Sequence, residues 1–443
     1  MEIFKLAKPD IGGKVDQSLE ILKRYAGAME YVANANHPVY LYWDKVRYKH
    51  PPEMTAEEFW ALLKILRQYS PGRTRTEVRD EAGSYFSWQP LRGLDHFLHK
   101  VDLNLGGILA SPIVDNSADR QKYISRNIME EAIASSQLEG ASTTRVVAKQ
   151  MLLEQRKPRN SSEQMILNNY NAMLEIDRRL QHEELTLDTF LHLHGTIVKD
   201  TIDSSEVGRL RQDIDKVVVS DSSTGLVYHI PPSEKFLREE IRKFIRFAND
   251  SSESDVFVHP ILKATILHFW VGYLHPFTDG NGRMARAISS WYLLRKGYWA
   301  FAYLPLSKYI KNSPAQYRDA YIYSEQDDND LTYFIDFSIR KITQATREFE
   351  SYVERKQHEN RTKARMARAR YDLNDRQIQL LQYLHKHPEA PTTIKTHSSV
   401  YEVSRVTARK DLEELERMGL LESRKIGRER PFRATKKTAE LLS

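Results

Sequence analysis

The sequence predicts a mainly α-helical protein. A helical core carries one β-hairpin, and a small C-terminal domain of three helices and a second hairpin follows it. Three observations predict this. Apolar residues recur at helical spacing along most of the chain, as in Phe59, Leu62, Leu63 and Leu66 or Ile124, Ile128 and Ile133. The pattern turns strand-like around 216–230 and again after Gly419. The charge divides as well: from Arg361 to Ser443 there are 19 Lys+Arg against 11 Asp+Glu, a balance of +8, and the remainder of this +6 chain carries −2.

Composition bounds the function. A chain of 443 residues has room for two or three domains. The absence of cysteine excludes disulfides, thiol catalysis and cysteine-ligated zinc, and it suits a reducing compartment, the cytoplasm. Met1 to Lys14 holds no apolar core of the secretory kind, and no apolar run has the length of a membrane span, so no membrane partner is expected.

In chain order, residues 1–105 read as an N-terminal helical region. Thr55 and Glu58 form a capping box ahead of the stripe that begins at Phe59. Tyr40, Tyr42, Trp43 and Tyr48 read as core packing, and no function is assigned here. A helix from about 118 runs to 140, where Gly140 suits the position that stops it. Ser135 and Glu139, four apart, share a face near its end. Helices are expected at Ser162–Gln181 and Thr186–Val198. After Gly208-Arg209-Leu210-Arg211, the runs Lys216–Ser220 and Leu226–Ile230 form a hairpin about a five-residue loop, with Val217, Val218 and Val219 on its first strand. Pro231-Pro232 ends the pairing. Ser233–Phe247 and His259–Leu274 return to helix.

The stretch from His275 to Arg286 carries the chemistry. Two glycines in three residues, Gly280 and Gly282 about Asn281, suit a backbone that approaches a ligand closely rather than an ordinary helix. Beyond Gly282 the pattern is helical, with Ala285, Ile288 and Tyr292 on one stripe. Arg283 and Arg286, three apart, lie on one face. Free N–H groups, the positive end of a helix and two guanidiniums thus converge on one anion site. Asp279 beside it can hold a divalent metal at phosphates. His275 can take a proton from an attacking hydroxyl. Packing and turn formation explain these residues only one at a time; nucleotide phosphoryl chemistry explains them together.

The same string resembles the signature of the Fic family, His-x-Phe-x-(Asp or Glu)-Gly-Asn-Gly-Arg-x-x-Arg, at every fixed position. The resemblance extends over a catalytic domain of about residues 106–350, with His268 in the preceding helix. It implies an all-helical Fic core with a β-hairpin flap, and transfer of AMP from ATP to a hydroxyl of a target protein or of the chain itself. His275 is then the base and Asp279 the Mg²⁺ ligand. Gly280, Asn281 and Gly282 stabilise phosphate charge through their N–H groups and the Asn281 side chain, and Arg283 and Arg286 hold the β- and γ-phosphates. Ser135, Glu139 and Gly140 resemble the family's inhibitory helix, in which the glutamate pairs with the second motif arginine, here Arg286, against the γ-phosphate. The hairpin resembles the flap on which a target segment adds as a strand. Ser307–Ile310 and Tyr317–Tyr323 resemble the helices that cover the adenine. The alternatives are removal of AMP with Glu139 activating water, transfer of another phosphate-containing group, and a nucleotide-sensing DNA-binding regulator.

Residues 351–371 form a charged helical connector; from Val353 to Arg370 it has 7 Lys+Arg against 2 Asp+Glu. Over 372–443, three helices and a basic hairpin resemble a winged helix-turn-helix domain. Ser404 caps the recognition helix, Arg405 and Arg409 lie on it, and Arg428 and Arg430 stand at the wing tip. The basic excess favours duplex DNA as partner over a dimerisation role. The protein target and any homo-oligomer stay open.

Overall fold

The computed structural model describes residues 3–11, 20, 27–106, 117–221, 224–251, 256–386, 390–424 and 430–442. The chain divides into two compact units, the first containing Tyr123–Arg347 together with the N-terminal region and the second containing Glu348–Ser443.

Two helices form the centre of the first unit: α10 (Pro260–Leu274) and α11 (Asn281–Arg295). Nearly every side chain of α10 is buried, from Ile261 through Leu274. An apolar circumference of that kind suits only a helix surrounded by others. His259 caps α10 through its ring, and Pro260 at the first turn gives up no helical bond. Met284, Ala285, Ile288, Trp291 and Tyr292 of α11 are fully or almost fully buried, so the stripe read from the sequence is the face that meets the core.

The elements that reach the motif pack around this pair. They are α5 (Ser117–Leu138), α7 (Ser161–Arg178), α8 (Leu187–Val198), α9 (Glu234–Ala248), α12 (Leu306–Lys311), α13 (Pro314–Gln326) and the start of α14 (Thr332–Tyr371). At the end of α5, Gly140 has φ +91°, and the Ala141 N–H donates back to the Ser136 carbonyl at 3.0 Å. This left-handed stop leaves Glu139 just past the last turn.

Two expectations are corrected. The N-terminal region is not wholly helical. Besides α1 (Ala28–Asn36), α2 (Trp43–Val46), α3 (Ala56–Gln68) and α4 (Leu94–Leu105), it holds an antiparallel pair, β1 (Thr74–Arg79) with β2 (Tyr85–Trp88). The alternation of buried Thr76, Val78, Phe86 and Trp88 with more exposed neighbours is the strand signal. The second hairpin is shorter than the sequence suggests: β3 is Val219–Ser220 and β4 is Val227–His229. Lys216 adopts φ +48° and a register irregularity follows Val219, so Val217 and Val218 precede the paired segment. The charged connector at 351–371 is helical, as its sequence suggests, since α14 continues through it to Tyr371.

In the second unit, α15 (Asp375–Lys386), α16 (Ile394–Val400), α17 (Arg405–Arg417) and α18 (Lys436–Leu442) surround the pair β5 (Leu421–Ser423) and β6 (Phe432–Ala434). Its own core contains Leu381, Leu384, Leu412, Leu415, Leu420 and Phe432. Buried Asp411 ties three elements together: it accepts from Arg376 at 2.9 Å and Asn374 at 2.9 Å, and it pairs with His397 at 3.2 Å. A buried carboxylate satisfied this way fixes helix positions that apolar contacts alone leave free to slide.

Candidate active site

The motif loop is held by its own residues and by three outside it. Phe277 is fully buried, with His194 stacked on it at 3.7 Å and Phe190 at 5.4 Å. The Gly208 N–H donates to His194 Nδ1, and His194 Nε2 faces the Asp279 carbonyl at 3.1 Å. Nε2 therefore carries the proton, and burial pushes this histidine down to about 4. Arg211 donates to the carbonyls of His275, Leu274 and Pro232 at 2.7, 3.1 and 2.5 Å. Its guanidinium thus gathers the end of α10, the start of the loop and the segment after the hairpin.

His275 itself has φ +47°, the left-handed residue that closes α10. That conformation turns the chain out of the helix and leaves the ring beside the loop. Its Nδ1 faces the Gly272 carbonyl at 3.3 Å, which leaves Nε2 as the basic nitrogen. Burial, then the charge of nearby His229, hold it down to about 3. His275 is neutral, as a proton acceptor must be.

At the start of α11, Gly280 sits at φ +82°, and a side chain there would press on Val198 at 2.7 Å. No side chain caps this helix, so its first N–H groups face the site. The Glu139 carboxylate lies over Gly282, where any Cβ would overlap it. A carboxylate of the same chain thus lies against the helix start that the sequence reading takes as an anion site.

Arg286 is almost fully buried, with hydrogen bonds to the end of α5 and to Glu139 just beyond it. It donates from Nε to Ser135 Oγ at 2.8 Å, and from Nη2 to the Ser135 carbonyl and Glu139 Oε1, both at 2.9 Å. Burial opposes its charge, but the Glu139 carboxylate overrides that and raises its pKa. Its Nη1 is buried with no hydrogen-bond partner among the described residues. Arg283 is fully buried, donating to the Ile197 carbonyl at 3.0 Å and to Asp279 at 3.1 Å, so part of its guanidinium braces the loop. The Asn281 side chain braces the loop: it accepts from the Phe277 N–H at 2.9 Å and donates to the Phe277 carbonyl at 2.8 Å.

Asp279 is half exposed, with one carboxylate oxygen on Arg283. Among the described residues no cluster of three His, Asp or Glu stands ready for an ion. One exposed carboxylate beside an anion site fits magnesium, which keeps waters and takes most of its other ligands from phosphates.

The sequence reading assigned no contact or role to several residues. Glu131, one turn before Ser135, is buried and accepts from the Ser307 N–H at 2.9 Å and from its hydroxyl, which ties α5 to α12. Burial raises its pKa despite those two bonds. His268 contacts Tyr317 at 2.7 Å, and burial, then the Arg286 charge, push it down to about 3. His194, Arg211, Glu131 and His229 stand alone in sequence, without motif or spacing. Each lay in a segment read there as a structural element or connection, with no role of its own.

In the second unit Arg405 and Arg409 are exposed on α17, beside exposed Val406. Arg428 lies outside the described residues. Arg430 departs from expectation: it donates to Glu416 at 2.6 Å and Ser423 at 2.7 Å, so its charge is already paired.

These features bring a neutral histidine, an uncapped helix start and two buried arginines together on a helical core, with a separate helix-turn-helix unit. Residues 184–293 match the Fic/DOC family, and residues 376–428 match a DeoR-like helix-turn-helix domain. The chain therefore carries a Fic/DOC-family domain. A segment of 121 residues is 31% identical to the protein adenylyltransferase fic-1 of Caenorhabditis elegans, covering 27% of this chain and 21% of that protein. Over 140 residues the chain is 31% identical to the protein adenylyltransferase Fic of Nematostella vectensis, covering 29% and 30% respectively. The matched part thus spans less than a third of either relative. A solved structure of Fic-1 from C. elegans aligns with a TM-score of 0.47 at 16% identity, covering 79% of this chain and 88% of that one.

Proposed function

We propose that the chain is a protein adenylyltransferase that inhibits itself through Glu139. The observation that carries the reading is the adjacency, within one loop, of a neutral histidine with a free Nε2 and an uncapped helix start faced by buried arginine. The relatives at 31% identity are named adenylyltransferases, which supports the choice among phosphoryl transfers.

His275 Nε2 removes the proton from a Ser, Thr or Tyr hydroxyl of a polypeptide. The oxygen attacks the α-phosphorus of ATP, the bond to the β-phosphate oxygen breaks, and pyrophosphate leaves. The backbone N–H groups of Gly280, Asn281 and Gly282 stabilise charge on the phosphate oxygens. Arg286 holds the γ-phosphate once Glu139 withdraws, and Arg283 keeps Asp279 in place. Mg²⁺ held by Asp279 would neutralise phosphate charge. The target segment docks at the β3–β4 hairpin by main-chain bonds.

The second unit binds duplex DNA through α17, with Arg405 and Arg409 as its exposed cations. A chain without cysteine suits the cytoplasm. No helix among the described residues is long and apolar enough to cross a membrane.

Intact-mass spectrometry after incubation with Mg²⁺ and each nucleoside triphosphate tests the transfer. One adenylyl group added per event, with ATP only, is expected of a Glu139→Gly variant. Addition of a bare phosphoryl group, or no addition with any nucleotide in lysate, contradicts the reading.

A further inference from the structure

His229 ends strand β4 and enters the chemistry described above only through its charge beside His275. Its ring lies between two acceptors. Nδ1 is 2.6 Å from the Glu325 carboxylate of α13, and Nε2 is 2.8 Å from the Tyr273 carbonyl of α10. A neutral imidazole has one N–H and can satisfy only one of them. The imidazolium donates to both.

Two further observations locate the consequence. Val219 of β3 is the register partner of His229, so whatever fixes His229 fixes the strand across from it. The other edge of β4 is already taken: Ile3 bridges Val227 in parallel, and the Phe4 N–H donates to the Val227 carbonyl at 2.8 Å. Strand β4 is therefore the anchored strand of the hairpin, bonded on one side by the N-terminal segment and at its end by His229. Strand β3 carries the edge away from that segment. The His229 ring lies 6.4 Å from that of His275.

We propose that His229 is a positioning residue, a protonated clamp that fixes the height of the hairpin over His275 and leaves β3 as the edge on which an extended target segment docks. The inference rests on reading the hairpin as the docking flap.

The groups facing His229 set its response to pH. Glu325 on α13 and the Tyr273 carbonyl on α10 favour the proton; Arg211, from the segment before the hairpin, disfavours it. His275, from the motif loop, stays neutral. Burial also works against the charge and is the largest single influence, yet the balance is a raised pKa. The clamp is thus fully present below the ordinary histidine value of 6.5 and is lost as pH rises through the higher folded-state value. Its charge also discourages a second proton on His275, which keeps the base free.

Backbone amide exchange over residues 216–232 tests this in the full chain without nucleotide, comparing wild type with His229→Gln and Glu325→Gln at acid and alkaline pH. After correction for intrinsic rates, both variants should exchange about tenfold faster or more at about pH 6, the factor expected from losing one hydrogen bond to a charged group. The wild type should approach them as the pH rises. Nitrogen-15 shifts of the wild-type ring should show both nitrogens protonated at about pH 6. Equal, pH-independent protection in wild type and in Glu325→Gln overturns the clamp, as does a neutral ring at that pH. Neither measurement uses AMP transfer, so the clamp can fail while the proposed activity stands, and the reverse.

Discussion

Glu139 Oε1 lies 2.9 Å from Arg286 Nη2, a contact that joins the end of one helix to the first turns of another across 147 residues of sequence. The same carboxylate covers Gly282. One side chain therefore occupies both the backbone concavity and the guanidinium that would receive a terminal phosphate. Replacing it is the most informative single change in the molecule.

Glu139→Gly should increase ATP affinity, on the order of tenfold if Glu139 occupies the site in about nine molecules of ten, because apparent affinity falls with the fraction of molecules whose site is free. Isothermal titration with ATP and Mg²⁺ measures it. Because the carboxylate is partly exposed while the arginine is buried, the gain should come mainly from freeing Arg286 rather than from any change in the fold. Equal affinity in both proteins would mean that Glu139 does not compete with the nucleotide.

His275→Ala should lose adenylyl transfer by about 10²- to 10⁴-fold, the usual contribution of a positioned general base. ATP binding should be unchanged, since the ring faces the loop and not Arg286. His275 is held at about 3, so the base is already free throughout the neutral range. The rate of the Glu139→Gly protein should therefore show no fall centred near 6.5 as the pH is lowered. A fall there that vanished in a His275 variant would refute the assigned state of the ring.

Two other histidines make a prediction about stability. His194 is held at about 4 and His268 at about 3, both by burial. Their folded values lie below the unfolded one, so the unfolded chain takes up protons first on acidification. The stability they contribute is present above about pH 6.5 and is lost as pH falls towards 4 and 3. Each should add a slope of about 1.4 kcal/mol per pH unit within that window. Denaturant unfolding of His268→Gln between about pH 6.5 and pH 5 should give a flatter dependence than wild type, whatever its absolute stability. An unchanged slope would show that His268 titrates normally.

How much of this was legible in the sequence differs by element. The motif loop could be read because its constraint is local: Gly280 needs φ +82°, Gly282 must leave room for an anion, and Arg286 follows one helical turn after Arg283. Helices α7, α8 and α10 were equally plain, since their stripes and caps are local too. The pair β1–β2 was not, because six- and four-residue strands flanked by mixed residues give periodicity little to work on. The bracing bonds of the Asn281 amide were hidden for a different reason: a polar residue beside an anion site reads as a ligand, and the Phe277 turn it holds shows only in the geometry. Arg211 and His229 act through partners 21 to 96 residues away, and spacing carries no trace of such contacts.

The C-terminal unit, residues 372–443, should bind duplex DNA with affinity falling against log salt at a slope of roughly −0.9 per neutralised phosphate. Arg409→Ala should weaken or relax that binding, since its side chain is exposed on α17. Arg430→Ala should change it by less than about threefold, because Glu416 already holds the guanidinium. Mobility shifts at low and moderate salt measure all three proteins. No shift at low salt, together with a loss of particle mass on deletion larger than the deleted residues, would favour a dimerisation module.

The central claim is that Glu139 keeps the Arg286 site from the γ-phosphate while His275 waits with a free base. Covalent labelling with ATP carrying its label on the α-phosphate, or separately on the γ-phosphate, tests it most directly. The account predicts that Glu139→Gly incorporates the α label, that wild type incorporates much less, and that Glu139→Gly combined with His275→Ala incorporates none. Incorporation of the γ label, or equal incorporation of the α label by all three proteins, would contradict it.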